Sequence, residues 1–302
     1  MDFTIQEELW FGDFADESAE QKAEKSFVAT AGKIYGLRPF PKSAQRLIAL
    51  ATDPNVNLPE MQRVIESDPS LASRTLQVVN SAAYSLQVRC TSIPHAVRLL
   101  GPKTIRELAA ALAVYTVFEG TDETATRFRD HGTAVGSLAR HLATRCGFPS
   151  DDVYTCGLLH DLGKMLMWQA QLLDYEKLIK DNLQFDDVIH LKEREAYGYD
   201  HAVLAAHLLK YWQIPEPIPS VIAWHHQPSR VYRQGGLIAN LVSLVRIADR
   251  MSYSLGRRAE EDKNKITQIC KDEAASLLNL SEEQLTEYWD DLHVVMSESS
   301  LF

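Results

Sequence analysis

The residues in this chain best suited to chemistry are histidines and aspartates. His160 and Asp161 adjoin in Gly157-Leu158-Leu159-His160-Asp161-Leu162-Gly163-Lys164; His131 precedes them, and His201, His225, His226 and Asp249 follow. A His-Asp step inside an apolar helix is costly unless both side chains are paired or bind something. The other five recur at helix-sized intervals, so successive helices each bring a ligand-type residue inward, as bundle metal sites require. Imidazole and carboxylate without thiolate suit a divalent transition metal, iron or manganese first, then zinc, nickel or cobalt.

Taken singly these residues say little. His225-His226 is equally a surface pair, and His201 equally a helix-start histidine with one hydrogen bond. The joint pattern carries the reading, because seven buried polar side chains without a ligand would be expensive. His95, His141, His190, His207 and His293 fall outside it and are read as structural or surface histidines.

The elements that must position this set read as helices. Leu47, Ile48, Leu50 and Ala51 give one apolar face. Asn57-Leu58-Pro59-Glu60 has the form of a capping box, and Asp68-Pro69 opens a helix with Asp68 as cap and Pro69 where its missing N–H costs nothing. Ser92-Ile93-Pro94 opens a helix ending at Gly101, and another runs from Lys103 to about Phe118. In the second half the spacing predicts helices over 128–145, after Asp151-Asp152, over 186–197, 201–212, 221–226 and 237–252. Strand alternation and Asn-Gly hairpins are absent, so the chain is expected to be all-α.

At this point a resemblance emerges. Phe40-Pro41, Asn57-Leu58-Pro59-Glu60, Asp68-Pro69-Ser70-Leu71-Ala72, Leu76-Gln77-Val78-Val79-Asn80-Ser81-Ala82-Ala83-Tyr84 and Ser92-Ile93-Pro94-His95-Ala96-Val97-Arg98-Leu99-Leu100-Gly101 resemble the HDOD family, output domains related to the HD hydrolases and found in bacterial signalling. The resemblance spans roughly 40 to 250. It implies a multi-helix HD-type bundle with a helical N-terminal subdomain, and a role mostly in signalling through a partner protein. It implies His131, His160, Asp161 and Asp249 as ligands of one ion. His201, His225 and His226 match the extra histidines of the dinuclear HD-GYP relatives, where Asp161 would bridge two ions about 3.5–4 Å apart. Lys164, one helical turn after His160, would then offer charge to a phosphate oxygen. A phosphate ester or nucleotide is the alternative reading's substrate, with Asp161 and Lys164 in the catalytic centre.

Two departures limit that carry-over. The Gly-Tyr-Pro loop that names the HD-GYP phosphodiesterases is missing after His225-His226, where the chain reads Gln-Pro-Ser-Arg-Val-Tyr-Arg-Gln-Gly-Gly. The position of a further metal-binding glutamate is Arg127. Hydrolysis of cyclic di-guanylate is not supported.

The totals narrow the class. The 302 residues are 45% hydrophobic and 24% charged, with four scattered cysteines and a net charge of −10. Free thiols in a reducing compartment are expected. Residues 1–25 hold eight acids and two bases, leaving a net −4 elsewhere. Without a basic stripe, nucleic-acid binding is not expected; without a long apolar run or a basic leader, the protein is expected to be cytoplasmic and off the membrane. The expected divisions are an acidic arm over 1–28, the N-terminal helical subdomain over 29–120, the metal-site bundle over 121–256 and a charged helical tail over 257–302. Ile5, Leu9, Trp10, Phe11 and Phe14 suggest an arm docked on its own domain or offered to a partner. The tail has a second capping box at Ser281-Glu282-Glu283-Gln284, and either packs on the domain or pairs with a second subunit.

Overall fold

In the computed structural model the described residues are 17–37, 40–53, 55–81, 84, 86–117, 123–148, 151–182, 188–226, 229–254 and 262–291. Among them there is helix and no strand. The apolar residues expected in the first arm, Ile5 to Phe14, lie outside the described residues.

The N-terminal half is a small helical pack. Helices α2 (Lys42–Thr52), α3 (Leu58–Glu66) and α4 (Pro69–Val79) lie against α5 (Ile93–Val117). Their starts follow the local chemistry: Asn57 accepts from the Glu60 amide, and Asp68 accepts from the amides of Ser70 and Leu71. The capping box at Asn57 is half formed, because the Glu60 carboxylate turns to Arg46 instead. Asn80 ends α4 and clasps both backbone groups of Cys90 at 2.8 Å, which closes the loop before α5. Gly101 breaks α5 with φ 73°, a conformation that glycine adopts without penalty, so two helices meet at the Gly101-Pro102 step.

The second half is built on α6 (Glu123–Arg145), α7 (Val153–Leu159), α8 (Leu162–Gln169), α11 (His201–Tyr211), α12 (Ile218–Trp224) and α14 (Gly236–Ser252). Between them, α9 (Tyr175–Asn182) and α10 (Ile189–Tyr197) form an outer layer, and α13 (Ser229–Gln234) is a short link. One apolar core runs through both halves. Buried Arg106 on α5 pins them together, reaching Asp152 at 2.7 Å and the Asp151 carbonyl.

Helix α1 (Glu17–Leu37) runs unbroken through residue 28 and packs on α10 and α11. Phe27 stands edge-on to Tyr199 and His207, and the Tyr199 hydroxyl bonds Thr30 Oγ1 at 2.6 Å. The tail forms α15 (Lys263–Cys270), α16 (Glu273–Leu277) and α17 (Glu282–Asp290), the last with a complete capping box at Ser281. It packs on its own bundle: Trp289 is buried, Arg145 pairs with Glu287, and Asp272 accepts from Arg246 and Arg250. No described helix is long and apolar enough to cross a membrane.

Candidate metal centre

The sequence led us to expect His160 and Asp161 within one apolar helix; the structure corrects this. Helix α7 stops at Leu159 and α8 starts at Leu162, with Asp161 at φ −97°, ψ 12° between them. The reason is geometric. Neighbours in a continuous helix point about 100° apart, whereas this break lets His160 and Asp161 turn toward the same centre. The short turn is held close to α11: a Cβ on Gly163 would lie 1.9 Å from the His201 carbonyl oxygen.

Around Asp161 the side chains converge from five helices or their ends. His131 Nε2 is 3.4 Å from Asp161 Oδ2 and 3.1 Å from Asp249 Oδ1. His160 Nε2 is 3.4 Å from Asp161 Oδ1 and 3.6 Å from Asp249 Oδ1. On the other side, His201 Nε2 and His225 Nε2 stand 3.2 and 3.9 Å from Asp161 Oδ1. His226 Nε2 completes this side, 2.9 Å from His201 Nε2. Two overlapping groups result, Asp161 with His201, His225 and His226, and Asp161 with His131 and His160; within each, ligand atoms lie within 4.8 Å of one another. Asp249 borders the second group.

The outward nitrogens are tied down. His160 Nδ1 lies 2.7 Å from the Gly157 carbonyl and His225 Nδ1 2.6 Å from that of Ile222. These contacts make each Nδ1 the protonated nitrogen and leave Nε2 as a lone pair facing inward. Ser252 donates to the Asp249 carbonyl, so the 3.3 Å contact at its hydroxyl is one that His131 Nδ1 can donate. His201 Nδ1 meets the Glu193 carboxylate at 2.6 Å. By contrast, His131 Nε2, His160 Nε2, Asp161 Oδ1, His225 Nε2 and Asp249 Oδ1 are buried without a hydrogen-bond partner. Each such atom costs roughly 1–3 kcal/mol if left unsatisfied. They all face the same centre, so the donor set fits a cation there.

Electrostatics agree with that polarity. Burial by itself would raise the carboxyl pKa of Asp161, but His160, Lys164, His131 and His201 hold it well below the usual carboxylate range. Asp249 is likewise lowered by His131 and His160 against its burial. Burial pulls His131 down, and Asp161 and Asp249 outweigh it, lifting the imidazole to about 10. His201 also reaches about 10 against burial, through Glu193 and Asp161. His225 and His226 are pushed well below the ordinary value, first by burial and then by neighbouring histidines.

Lys164, which the resemblance would have offer charge to a phosphate oxygen, lies beside Asp161. Its Nζ sits 2.8 Å from Asp161 Oδ2 and its side chain is 3% exposed, so its charge is directed at Asp161. Two residues went unrecognised in the sequence. Glu193 lies in a run of charges, Lys-Glu-Arg-Glu, in the helix expected over 186–197, yet it is fully buried. His190, read as structural or surface, stacks on His226 with ring centres 4.3 Å apart. Two surface clefts, about 810 and 690 Å³, lie near Trp168–Lys180 and Lys210–Ile238; none of the seven residues lines either.

The fold and this cluster define an all-helical protein of the HD type. The chain belongs to the HDOD domain family, whose model matches residues 37–228. An HDOD domain protein of unknown function from Geobacter sulfurreducens is 20% identical with a TM-score of 0.68, covering 94% of this chain and 99% of that one. A Shewanella amazonensis protein named as a candidate phosphohydrolase is 22% identical with a TM-score of 0.67, covering 90% and 97%. At these identities the likeness is one of fold. In sequence, an uncharacterized protein of Treponema pallidum is 26% identical over 209 residues, 68% of this chain; the match spans 41% of that protein's length.

Proposed function

We propose that this chain is an HDOD-type signalling protein whose bundle holds a dinuclear divalent transition-metal centre and which acts mainly through contacts with a partner protein. The observation carrying the metal reading is the set of five buried ligand atoms that face one centre, His against carboxylate, without a hydrogen bond of good geometry. His131, His160 and Asp249 would hold one ion, His201, His225 and His226 the other, with Asp161 shared between them. The nitrogen and oxygen donors favour iron or manganese, with zinc, nickel or cobalt as the alternatives.

Enclosure supports a signalling role over turnover. His160 and His201 are 0% exposed and His225 is 1% exposed, and Lys164 Nζ lies 2.8 Å from Asp161. A reaction centre must admit its substrate to an open coordination position, and the buried histidines leave that access to the edges at His131, Asp249 and His226.

A second reading, a phosphohydrolase acting on a phosphate ester or nucleotide, draws on one observation. The side chains of His131 and Asp249 are 16% and 12% exposed and His226 is half-buried, so the cluster is not enclosed on every edge. When bound, two ions supply an activated water and charge for the phosphoryl oxygens.

Elemental analysis of the purified chain tests the metal reading: two transition-metal ions per chain are expected, and none would overturn it. The protein loaded with Mn or Fe is then offered phosphomonoesters, phosphodiesters and nucleotides. Silence with both ions bound is expected, whereas robust turnover would replace the signalling reading with the hydrolase one.

A further inference from the structure

Four histidines of the cluster have an identified partner for their outward nitrogen. Three of those partners are neutral: two backbone carbonyls and the Ser252 hydroxyl. His201 alone among these four leans on a charge. Glu193 Oε2 takes the His201 backbone N–H at 2.9 Å and lies 2.6 Å from Nδ1. The other oxygen of the same carboxylate accepts from the Tyr175 hydroxyl at 2.7 Å. Glu193 and His201 are 0% exposed and Tyr175 is 1% exposed, so no water competes for these bonds.

A buried carboxylate with three donors in fixed positions does two things at once. It makes Nδ1 the protonated nitrogen, leaving the Nε2 lone pair facing Asp161 and His226. It also clamps the first residue of α11 by main chain and side chain together, so the ring cannot swing. Carboxylate partners of this kind raise a ligand imidazole's basicity, and their loss typically costs 10–100-fold in metal affinity.

We infer that Glu193 is a positioning residue for a metal ion on the His201–His225–His226 side of the cluster, and that Tyr175 holds Glu193 in place. The inference rests on the dinuclear reading above and adds that the two sides depend on different supports. Nothing from α9 or α10 bonds His131, His160 or Asp249 in the contacts described, so the opposite side should be indifferent to this relay.

The test is stepwise titration of the metal-free full-length chain with Co(II), following visible absorption for geometry and equilibrium dialysis for stoichiometry. In wild type two ions are expected. Glu193→Gln should weaken one of them 10–100-fold and alter its absorption bands, while the other binds as before and serves as the control for an intact fold. Glu193→Asp, which retains the charge, should recover part of the loss. Tyr175→Phe should weaken the same ion by a smaller factor, and it answers the question if the Glu193 variant does not fold. Equal weakening of both ions in a folded variant, or two ions bound as in wild type, would overturn the inference. Wild-type protein that binds no second ion would overturn the dinuclear reading itself, and this inference with it.

Discussion

The Nε2 atoms of His201 and His226 lie 2.9 Å apart, on rings that meet edge to face at 4.8 Å. With Glu193 taking the other nitrogen of His201, the metal-free protein needs a proton between or beside these two lone pairs. A divalent cation would supply the same compensation from one position.

That relationship predicts proton release. His131 and His201 are held near a pKa of about 10, so both carry a proton at neutral pH in the metal-free state. Only neutral imidazole ligates. Metal uptake should therefore release protons, and apparent affinity should rise as pH increases from 6 toward 10. Calorimetry in buffers of different ionisation enthalpy measures this; a proton count of zero at pH 7 would contradict it.

Lys164 predicts an unequal response to metal. It pairs with Asp161 at 2.8 Å beside His131 and His201, and removing one partner of a buried pair typically costs about 3–5 kcal/mol. Lys164→Met should therefore destabilise the metal-free protein by roughly that amount. The loss should shrink in the loaded protein, where ions also compensate Asp161. Urea unfolding of both forms makes the comparison, and equal losses would argue against ions beside Asp161.

Two glycines predict opposite outcomes for one substitution. Gly163→Ala places a methyl 1.9 Å from the His201 carbonyl oxygen, so α8 and α11 must separate. A loss of at least about 3 kcal/mol is expected, in the range of severe overpacking. Gly32→Ala, on an exposed stretch of α1 with nothing within 4 Å, should stabilise by about 0.5–1 kcal/mol. Thermal unfolding of the two variants side by side checks both signs.

The tail makes a further prediction. Asp272 caps the Ala274 amide and accepts from Arg246 and Arg250, while Arg246 also bonds the His225 carbonyl at 3.2 Å. Asp272→Ala should cost about 1–3 kcal/mol, since it removes the carboxylate that two partly buried guanidinium groups share. It should also expose α15–α17 to limited proteolysis before the bundle; simultaneous digestion would show that the tail is not held there.

The sequence by itself determined the helical class, the caps at Asp68 and Ser281, the break at Gly101-Pro102 and the presence of seven residues of ligand type. These are local properties: periodicity, side chains that cap amides and backbone angles only glycine takes easily. Tertiary structure alone decided the rest. It broke the expected helix at His160-Asp161, because two adjacent side chains can share a centre only where the backbone leaves the helix. It laid α1 against α10 and α11, an association between residues some 170 positions apart that no local pattern encodes. It turned Lys164 onto Asp161 and buried Glu193 beneath His201, since a charged residue in a polar run looks the same in sequence whether it faces solvent or the core.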